Sequence, residues 1–482
     1  MLKTKPLIRF LSIAIFASFN LAGKPAFSQA PTLGDLVDNN LAFLKLDKKN
    51  AALGANFNMH FIEPLWVNGQ LYTYYIKWVD GHAGIALATS SDGINFSDQG
   101  MVLTIGSTGS FDNTYASFPG VWYENGTFYL VYEGAGEGAR GTAGDIGLAT
   151  STDGRNFTKQ GIILRHDQFG WERVNIGTPS LYKENGTWYL HYHGYDGNTC
   201  QIGVATGTDL FKLVKYSANP IIKSVPNTWQ AGTAGRRGIT KSNNRYYMVF
   251  EGSEAKKPNA PGFGEVKWSS GLASSGNLLD WTTFSQNSVL PQTVLGGSNS
   301  AHGFGNDGPT FLKLGSEQYI YYRAATKENN AFTRRAMIAT PYYGGFDISW
   351  NVNSPNIGHN IGRPDGDGWS ANMSQDTPQF LQYGPYYTNT PVGDNIITWS
   401  FMIDNNSSDN ADMLRLEVVD VDDNFSVIAQ RNITRKQFKQ TGRYEYFSVP
   451  FRLDPSKRGH RLEFRSWWYG RAFIRQGVVG IS

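Results

Sequence analysis

The chain has 482 residues, with 43 Lys and Arg against 40 Asp and Glu, a formal net charge of +3, and 17% charged residues. With no basic run to track a phosphate backbone, this balance excludes a nucleic-acid-binding chain, and the length allows two or three domains. The single cysteine, Cys200, excludes an intramolecular disulfide, so the fold relies on its core.

In chain order, residues 1–30 read as a secretory signal: Lys3, Lys5 and Arg9 precede the apolar run LSIAIFASFNLA, and Ser28-Gln29-Ala30 offers a small-residue cleavage site. The apolar run is short and is interrupted by Asn20, which argues against a membrane span in the mature chain. The expected location is therefore secreted, periplasmic or extracellular. Residues 32–50 read as an entry segment with a helical turn or two.

A pattern then recurs five times. An aromatic and a polar residue are followed by a Pro and by a Tyr/Phe-rich strand that ends fourteen residues after it. The copies run Phe57-Asn58 to Pro64, Phe111-Asp112 to Pro119, Trp171-Glu172 to Pro179, Trp229-Gln230 to Arg237, and Ala301-His302 to Pro309. Each continues through a turn (Asn68-Gly69, Asn125-Gly126, Asn185-Gly186, Asn243-Asn244, Gly315-Ser316) into a second strand. Asn-Gly between alternating apolar runs predicts a hairpin. A third strand follows (GIALATSSDG in the first copy, DIGLATSTDG in the second), then a short fourth one carrying Phe96, Phe157, Phe211, Trp281 or Phe346. Four strands repeated five times predict a five-bladed β-propeller over 31–350, an all-β fold. Cys200, at the head of the third-blade strand CQIGVA, reads as a buried structural thiol.

The Asn, Gly and Pro content of 351–367 predicts a linker. From Gly368 to 482 alternating strands without the repeat predict a jelly-roll-like β-sandwich that folds as an independent domain. In its strand HRLEFRSWWYG, Trp467 and Trp468 are adjacent, so one should enter the core and the other face out.

The stretches FDNTYASFPGVWYENGTFYLVYEG, GDIGLATSTDGRNF and WERVNIGTPSLYKENGTWYLHYHG resemble those of the five-bladed propeller glycosidases, the group of glycoside hydrolase families 32, 43, 68, 117 and 130. The resemblance covers residues 55–350. The aromatic load of the sandwich (Trp369, Tyr383, Tyr386, Tyr387, Trp467, Trp468) resembles that of carbohydrate-binding modules. In the propeller group the inner strand of each blade starts at the active face, which places acids beside the strand-opening Pro in a central funnel. Glu63-Pro64 resembles the Asp-Pro of family 43, and Asp307-Gly308-Pro309 its Glu-Gly-Pro, each with the other acid of the Asp/Glu pair.

Two rings follow from the repeat. Before the Pro stand Asn58, Asp112, Glu172, Gln230 and His302; fourteen residues after it stand Trp78, Glu133, His193, Glu251 and Arg323. Glycoside cleavage takes one carboxylic acid and one carboxylate, about 5–5.5 Å apart for retention or about 6.5–9.5 Å for inversion. Glu63 and Asp307, facing each other across the funnel, are the first candidates, with Glu172 and Asp112 as further catalytic acids. Glu133, His193, Arg236, Glu251, His302, Trp78 and Arg173 are candidates for substrate binding. His191-x-His193 places two imidazoles on one strand face, but satisfied histidines are the commoner case, so no His-ligated metal is expected. No cofactor is required, and a structural Ca2+ held by oxygen ligands stays open. The expected partner is a poly- or oligosaccharide, cleaved by a secreted hydrolase. The alternatives are a non-catalytic glycan-binding propeller or a glycoside phosphorylase.

Overall fold

The computed structural model of the protein describes residues 33–34, 43–46, 59–137, 144–260, 262–263, 266–284, 289, 305–315, 317–325, 331–339 and 346–482. The leader-like segment 1–30, Phe57-Asn58 and Ala301-His302 lie outside the described residues. Among the described residues no helix is long and apolar enough to cross a membrane.

The hairpins form as their turn residues dictate. Asn68-Gly69, Asn125-Gly126 and Asn185-Gly186 have φ of 49° and 80°, 49° and 78°, and 49° and 79°. A type I′ turn needs φ > 0 at both central positions, and Asn followed by Gly is the pair that adopts this most cheaply. Asn243-Asn244 does the same at 48° and 60°.

Each hairpin grows into a four-stranded blade. Blade 1 is His60–Val67, Gln70–Val79, His82–Ser90 and Ser97–Leu103; blade 2 is Tyr115–Glu124, Thr127–Ala135, Asp145–Ser151 and Thr158–Leu164. Blade 3 is Asn175–Glu184, Thr187–Tyr195, Cys200–Gly207 and Val214–Lys215, and blade 4 is Thr233–Ser242, Arg245–Ser253, Trp268–Ser275 and Trp281–Thr283. Between third and fourth strands the Ser-x-Asp-Gly motif ties its own turn. Ser90 Oγ accepts the Gly93 N–H (2.9 Å), and Asp92 Oδ1 accepts those of Ile94 and Asn95 (both 2.8 Å). Ser151 and Asp153 repeat this in blade 2.

Blade 5 departs from the expectation. Its first three strands are Gly305–Leu314, Glu317–Ala325 and Ala331–Ala339, but its outer strand is Phe43–Leu46, antiparallel to the third. Within the expected entry segment 32–50, Leu33-Gly34 is helical and Phe43–Leu46 is this strand; its other residues lie outside the described ones. Phe346, expected on the outer strand, packs instead beside the cluster that holds Met59, Ile62 and Tyr321. A short strand has no local signal strong enough to announce a partner almost 300 residues away. The ring is closed laterally as well. The inner strand of blade 5 packs on that of blade 1, the Tyr321 hydroxyl of blade 5 donates to Gly93 O of blade 1, and Tyr74 of blade 1 does the same to Gly154 O of blade 2 (2.8 Å). Because Phe43–Leu46 supplies the last strand of the ring, deleting residues 1–46 is expected to lower the melting temperature by several degrees. Differential scanning calorimetry checks this.

The C-terminal unit is a sandwich of two sheets. One runs Arg363–Asp365, Gly368–Ala371, Ile474–Ile481, Gly393–Ile403 and Glu445–Leu453, with Ile348–Asn351 also paired to Ile474–Ile481. The other places Gln379–Gln382 and Pro385–Tyr387 on Leu462–Trp468, followed by Asp412–Asp420 and Ser426–Thr434. Their facing sides bury Trp399, Phe401, Leu416, Phe447, Phe464 and Trp468. Trp468 enters this core, its Nε1 donating to Ala472 O (3.1 Å), while Trp467 faces outward against Phe380 and Arg415.

The stretch 351–367 is not a linker. Gly358 bridges Tyr383, His359 stacks on Trp369 at 3.6 Å, and Arg363–Asp365 is an edge strand. Its Asn, Gly and Pro residues serve turns within the sandwich. The sandwich also packs on the propeller: Ile396 lies in a cluster with Tyr247, Val249, Phe311 and Ile320 of blades 4 and 5.

Candidate functional site

Every inner strand carries a bulge at the same level, between His60/Glu63, Ser117/Gly120, Gly177/Ser180, Ala234/Arg237 and Asp307/Thr310. Bulges re-aim side chains. In four blades the bulge holds a residue with φ > 0: Phe61 (53°), Phe118 (51°), Thr178 (43°) and Gly308 (57°).

The hairpins also correct the register of blade 1. The last paired residues before the turns are Val67, Glu124, Glu184, Ser242 and Leu314. Five residues back from each stand Pro119, Pro179, Arg237 and Pro309 in blades 2 to 5, and Ile62, not Pro64, in blade 1. Glu63 therefore lies level with Gly120, Ser180, Gly238 and Thr310. Trp78 loses its place in the second ring to Ile76 and sits at the strand end, 67% exposed. Pro64 misleads because it pairs with Thr73 inside the strand without opening it.

Arg236, only 1% exposed, organises the centre of the ring. From blade 4 its guanidinium donates to Ile62 O (2.9 Å) and the Glu63 carboxylate (3.3 Å) of blade 1 and to Pro119 O (3.3 Å) of blade 2, while its Nε has no partner among the described residues. Arg237 reaches the other way, to Thr178 O (3.0 Å) and Thr178 Oγ1 (2.9 Å) of blade 3. Thr178 Oγ1 in turn lies 2.9 Å from His193 Nδ1. Burial pulls His193 down to about 3, so the imidazole is neutral at ordinary pH.

The glutamates divide by what they hold. Glu133 accepts the Thr178 N–H (3.0 Å) and the Tyr115 hydroxyl. Its repeat mate Glu251 accepts the N–H of Arg236 (2.9 Å) and Gly308 (2.8 Å). Both thus pin bulge backbone, and Gly177 must stay glycine because a Cβ there would lie 1.8 Å from Glu133 Oε2. Burial raises Glu133 to about 7, and it raises Glu251 as well, with Asp307 adding to the push. Glu63 is also pushed up to about 7 by burial, against the pull of Arg236 and Arg237. Unlike the other two it keeps a 14% exposed side chain, with a guanidinium on only one oxygen.

Asp307 is clasped by Arg323, whose Nε donates to Oδ1 (2.6 Å) and Nη2 to Oδ2. Arg323 also covers the face of Phe61, 4.9 Å from the ring centroid. Glu63 and Asp307 are thus held by different guanidiniums, with Phe61 between Arg236 and Arg323.

Of the ring before the Pro, Asp112 and Glu172 are spent within their own blades. Asp112 binds Lys159 Nζ (2.5 Å), the Tyr132 hydroxyl (3.0 Å) and the Ser110 hydroxyl (2.8 Å), all in blade 2. Glu172 binds Lys215 Nζ and the Asp167 N–H (3.2 Å) in blade 3. These acids pin strands of one blade to each other. Arg173 donates to Asp196 O (2.6 Å) of its own blade, and His302 lies outside the described residues. His191 bonds Leu278 O of blade 4 (2.9 Å), a latch between blades. Among the described residues no three His, Cys, Asp or Glu side chains come together in a way that would hold a metal ion.

What sequence reasoning missed is the role of Arg236 and Arg237 as paired cross-channel ties. The signal was the Arg-Arg at the Pro position of blade 4. The three raised carboxyls have a consequence for stability. An acid whose folded pKa lies above its unfolded value holds more protons when folded, so stability falls as pH rises between the two. From Glu63 and Glu133, and in the same direction Glu251, the melting temperature is expected to decline between about pH 4.5 and about pH 7 and to level off above, as a thermal-shift series over pH reads out.

No family model matches the chain. Sucrose-6-phosphate hydrolase of Escherichia coli is 28% identical over 158 residues, 30% of this chain and 32% of that protein, so the chain spans about a third of the length of this relative. Among solved structures, one described as a complex of BT0996 and RGII and one described as a glycoside hydrolase each superpose with a TM-score of 0.50 at 18% identity, over 61% of this chain and 92% of theirs. At that identity the likeness is one of fold: the propeller of this chain shares its architecture with these two structures.

Proposed function

We propose that the protein is an exported glycoside hydrolase that cleaves a poly- or oligosaccharide in the central funnel of the propeller. The observation that carries this reading is Glu63. It is a partly exposed carboxyl raised to about 7 that bonds the Arg236 guanidinium; the backbone N–H of the same Arg236 is held by Glu251, which also feels the charge of the Arg323-clasped Asp307. A group half protonated near neutrality is suited to general acid catalysis. Glu63 would give its proton to the glycosidic oxygen as the bond to the anomeric carbon breaks. Asp307, fixed by its two bonds to Arg323, would be the carboxylate that supports the developing positive charge or takes the proton of the attacking water. Neutral His193, tied through Thr178 to Arg237, can hydrogen bond a sugar hydroxyl without adding charge.

Release of reducing ends from a panel of soluble polysaccharides and oligosaccharides tests the reading, and no release from any of them overturns it. One observation favours the second reading, glycan binding without cleavage. Asp307 has both oxygens on Arg323, and the bulge positions carry Phe61, Phe118, Thr178, Arg236 and Gly308, with no carboxylate among them. Retention on a glycan that wild type leaves uncut would select it.

A further inference from the structure

The sandwich carries a feature that the funnel does not explain. Among the described residues of the sandwich, the large apolar side chains most exposed to solvent are Met373, Tyr386 and Phe425, at 61%, 43% and 55%. Two of these three, Tyr386 and Phe425, flank one spot on the outer face of the sheet built on Leu462–Trp468. Both have left-handed backbone, with φ of 61° and 58°. Phe425 follows Asn424 (φ 50°), so it takes the place that Gly takes after Asn in the turns of blades 1 to 3. A β-carbon is disfavoured there, and an aromatic residue held in such a conformation is a mark of a site that uses it.

Between the two rings lies a charged floor. Glu463, 2% exposed, accepts the Arg465 Nε (2.6 Å) and also bonds Arg465 Nη2. The Arg465 guanidinium lies between two rings, 5.5 Å from the centroids of both Phe425 and Phe380. The Tyr386 hydroxyl lies near the Glu463 carboxylate, and burial together with that carboxylate raises its pKa. The neighbouring pair Arg415–Glu417 (2.6 Å), with Arg415 over Trp467, extends the same pattern along the face. Exposed ring faces beside a planar carboxylate and guanidinium, whose charges cancel, suit a neutral ligand with apolar C–H faces and vicinal hydroxyls. A nucleic acid would want net positive charge, and an apolar peptide would want no buried carboxylate.

We propose that Tyr386, Phe425, Glu463 and Arg465 form a binding site for the sugar rings of a neutral polysaccharide, on the sandwich and separate from the funnel. The site does not depend on whether the funnel cleaves glycans. The test uses the full chain carrying Glu63→Gln, run in native gels containing soluble xylan, arabinan, mixed-linkage glucan, galactomannan or, as the acidic comparison, pectin. At least one neutral polysaccharide is expected to retard the chain. The double change Tyr386→Ala and Phe425→Ala should weaken that retardation about tenfold or more, with release of reducing ends from short oligosaccharides by the otherwise wild-type chain unchanged. Should the double variant melt lower than its parent, Phe425→Ala alone, at a 55% exposed side chain, serves as the folded variant and should still weaken retardation. Retardation unchanged by these substitutions, retardation by pectin alone, or none by any glycan overturns the proposal. Loss of retardation in the variants of a chain whose wild type cuts nothing upholds this site and overturns the hydrolase reading instead.

Discussion

Replacing Glu63 with Gln is expected to lower turnover at least about a hundredfold, the low end of general acid–base contributions, while the melting temperature stays near that of wild type. Gln keeps the shape and can still accept from Arg236, and a neutral side chain at this depth removes a desolvation penalty. The pH profile supplies an independent readout. With Glu63 as the acid, kcat/KM of the wild type should fall above about pH 7 as the carboxyl ionises. Full turnover in the Gln variant, or an alkaline limb that survives it, would move the proton transfer to another group. The companion change Asp307→Asn is not its equal. Arg323 loses the anion that holds both of its bonds, so that variant should lose stability as well as turnover.

The largest effect on stability is expected from Arg236→Met. Arg236 is 1% exposed and ties carbonyls of two other blades as well as Glu63. Removing one partner of a buried pair costs roughly 3–5 kcal/mol, and here Ile62 O and Pro119 O lose their donor too. The substitution keeps most of the side-chain volume, so the loss reports on the polar ties. Chemical denaturation should show the midpoint falling. Combining Arg236→Met with Glu63→Gln should recover part of the loss, because the orphaned carboxyl is then neutral. A midpoint unchanged in the single variant would mean that the channel is held by the apolar clusters between blades alone.

The repeat, the hairpins and the fold class were legible in the chain itself, because they rest on local physics. Asn-Gly pairs set turn type by their own φ preferences, alternation every two residues sets which face is buried, and Ser-x-Asp-Gly closes its turn with atoms three residues apart. The same alternation placed Trp468 in the core and Trp467 outside it. Glu63, on which the proposed chemistry rests, was singled out in the chain through a Pro two residues out of register.

What the tertiary structure decided was partnership. Asp112 and Glu172 looked like funnel acids until Lys159 and Lys215 arrived from the outer strands of their own blades. Asp307 looked free until Arg323 came opposite it on the next strand. The strand Phe43–Leu46 had no visible role until Ala331–Ala339 offered an edge to pair with. The partners just named, across a sheet or within a blade, stand 16 to 296 residues apart in the chain. The charge that shifts a carboxyl, or holds it in place, comes from those neighbours and not from the residues beside it in the chain.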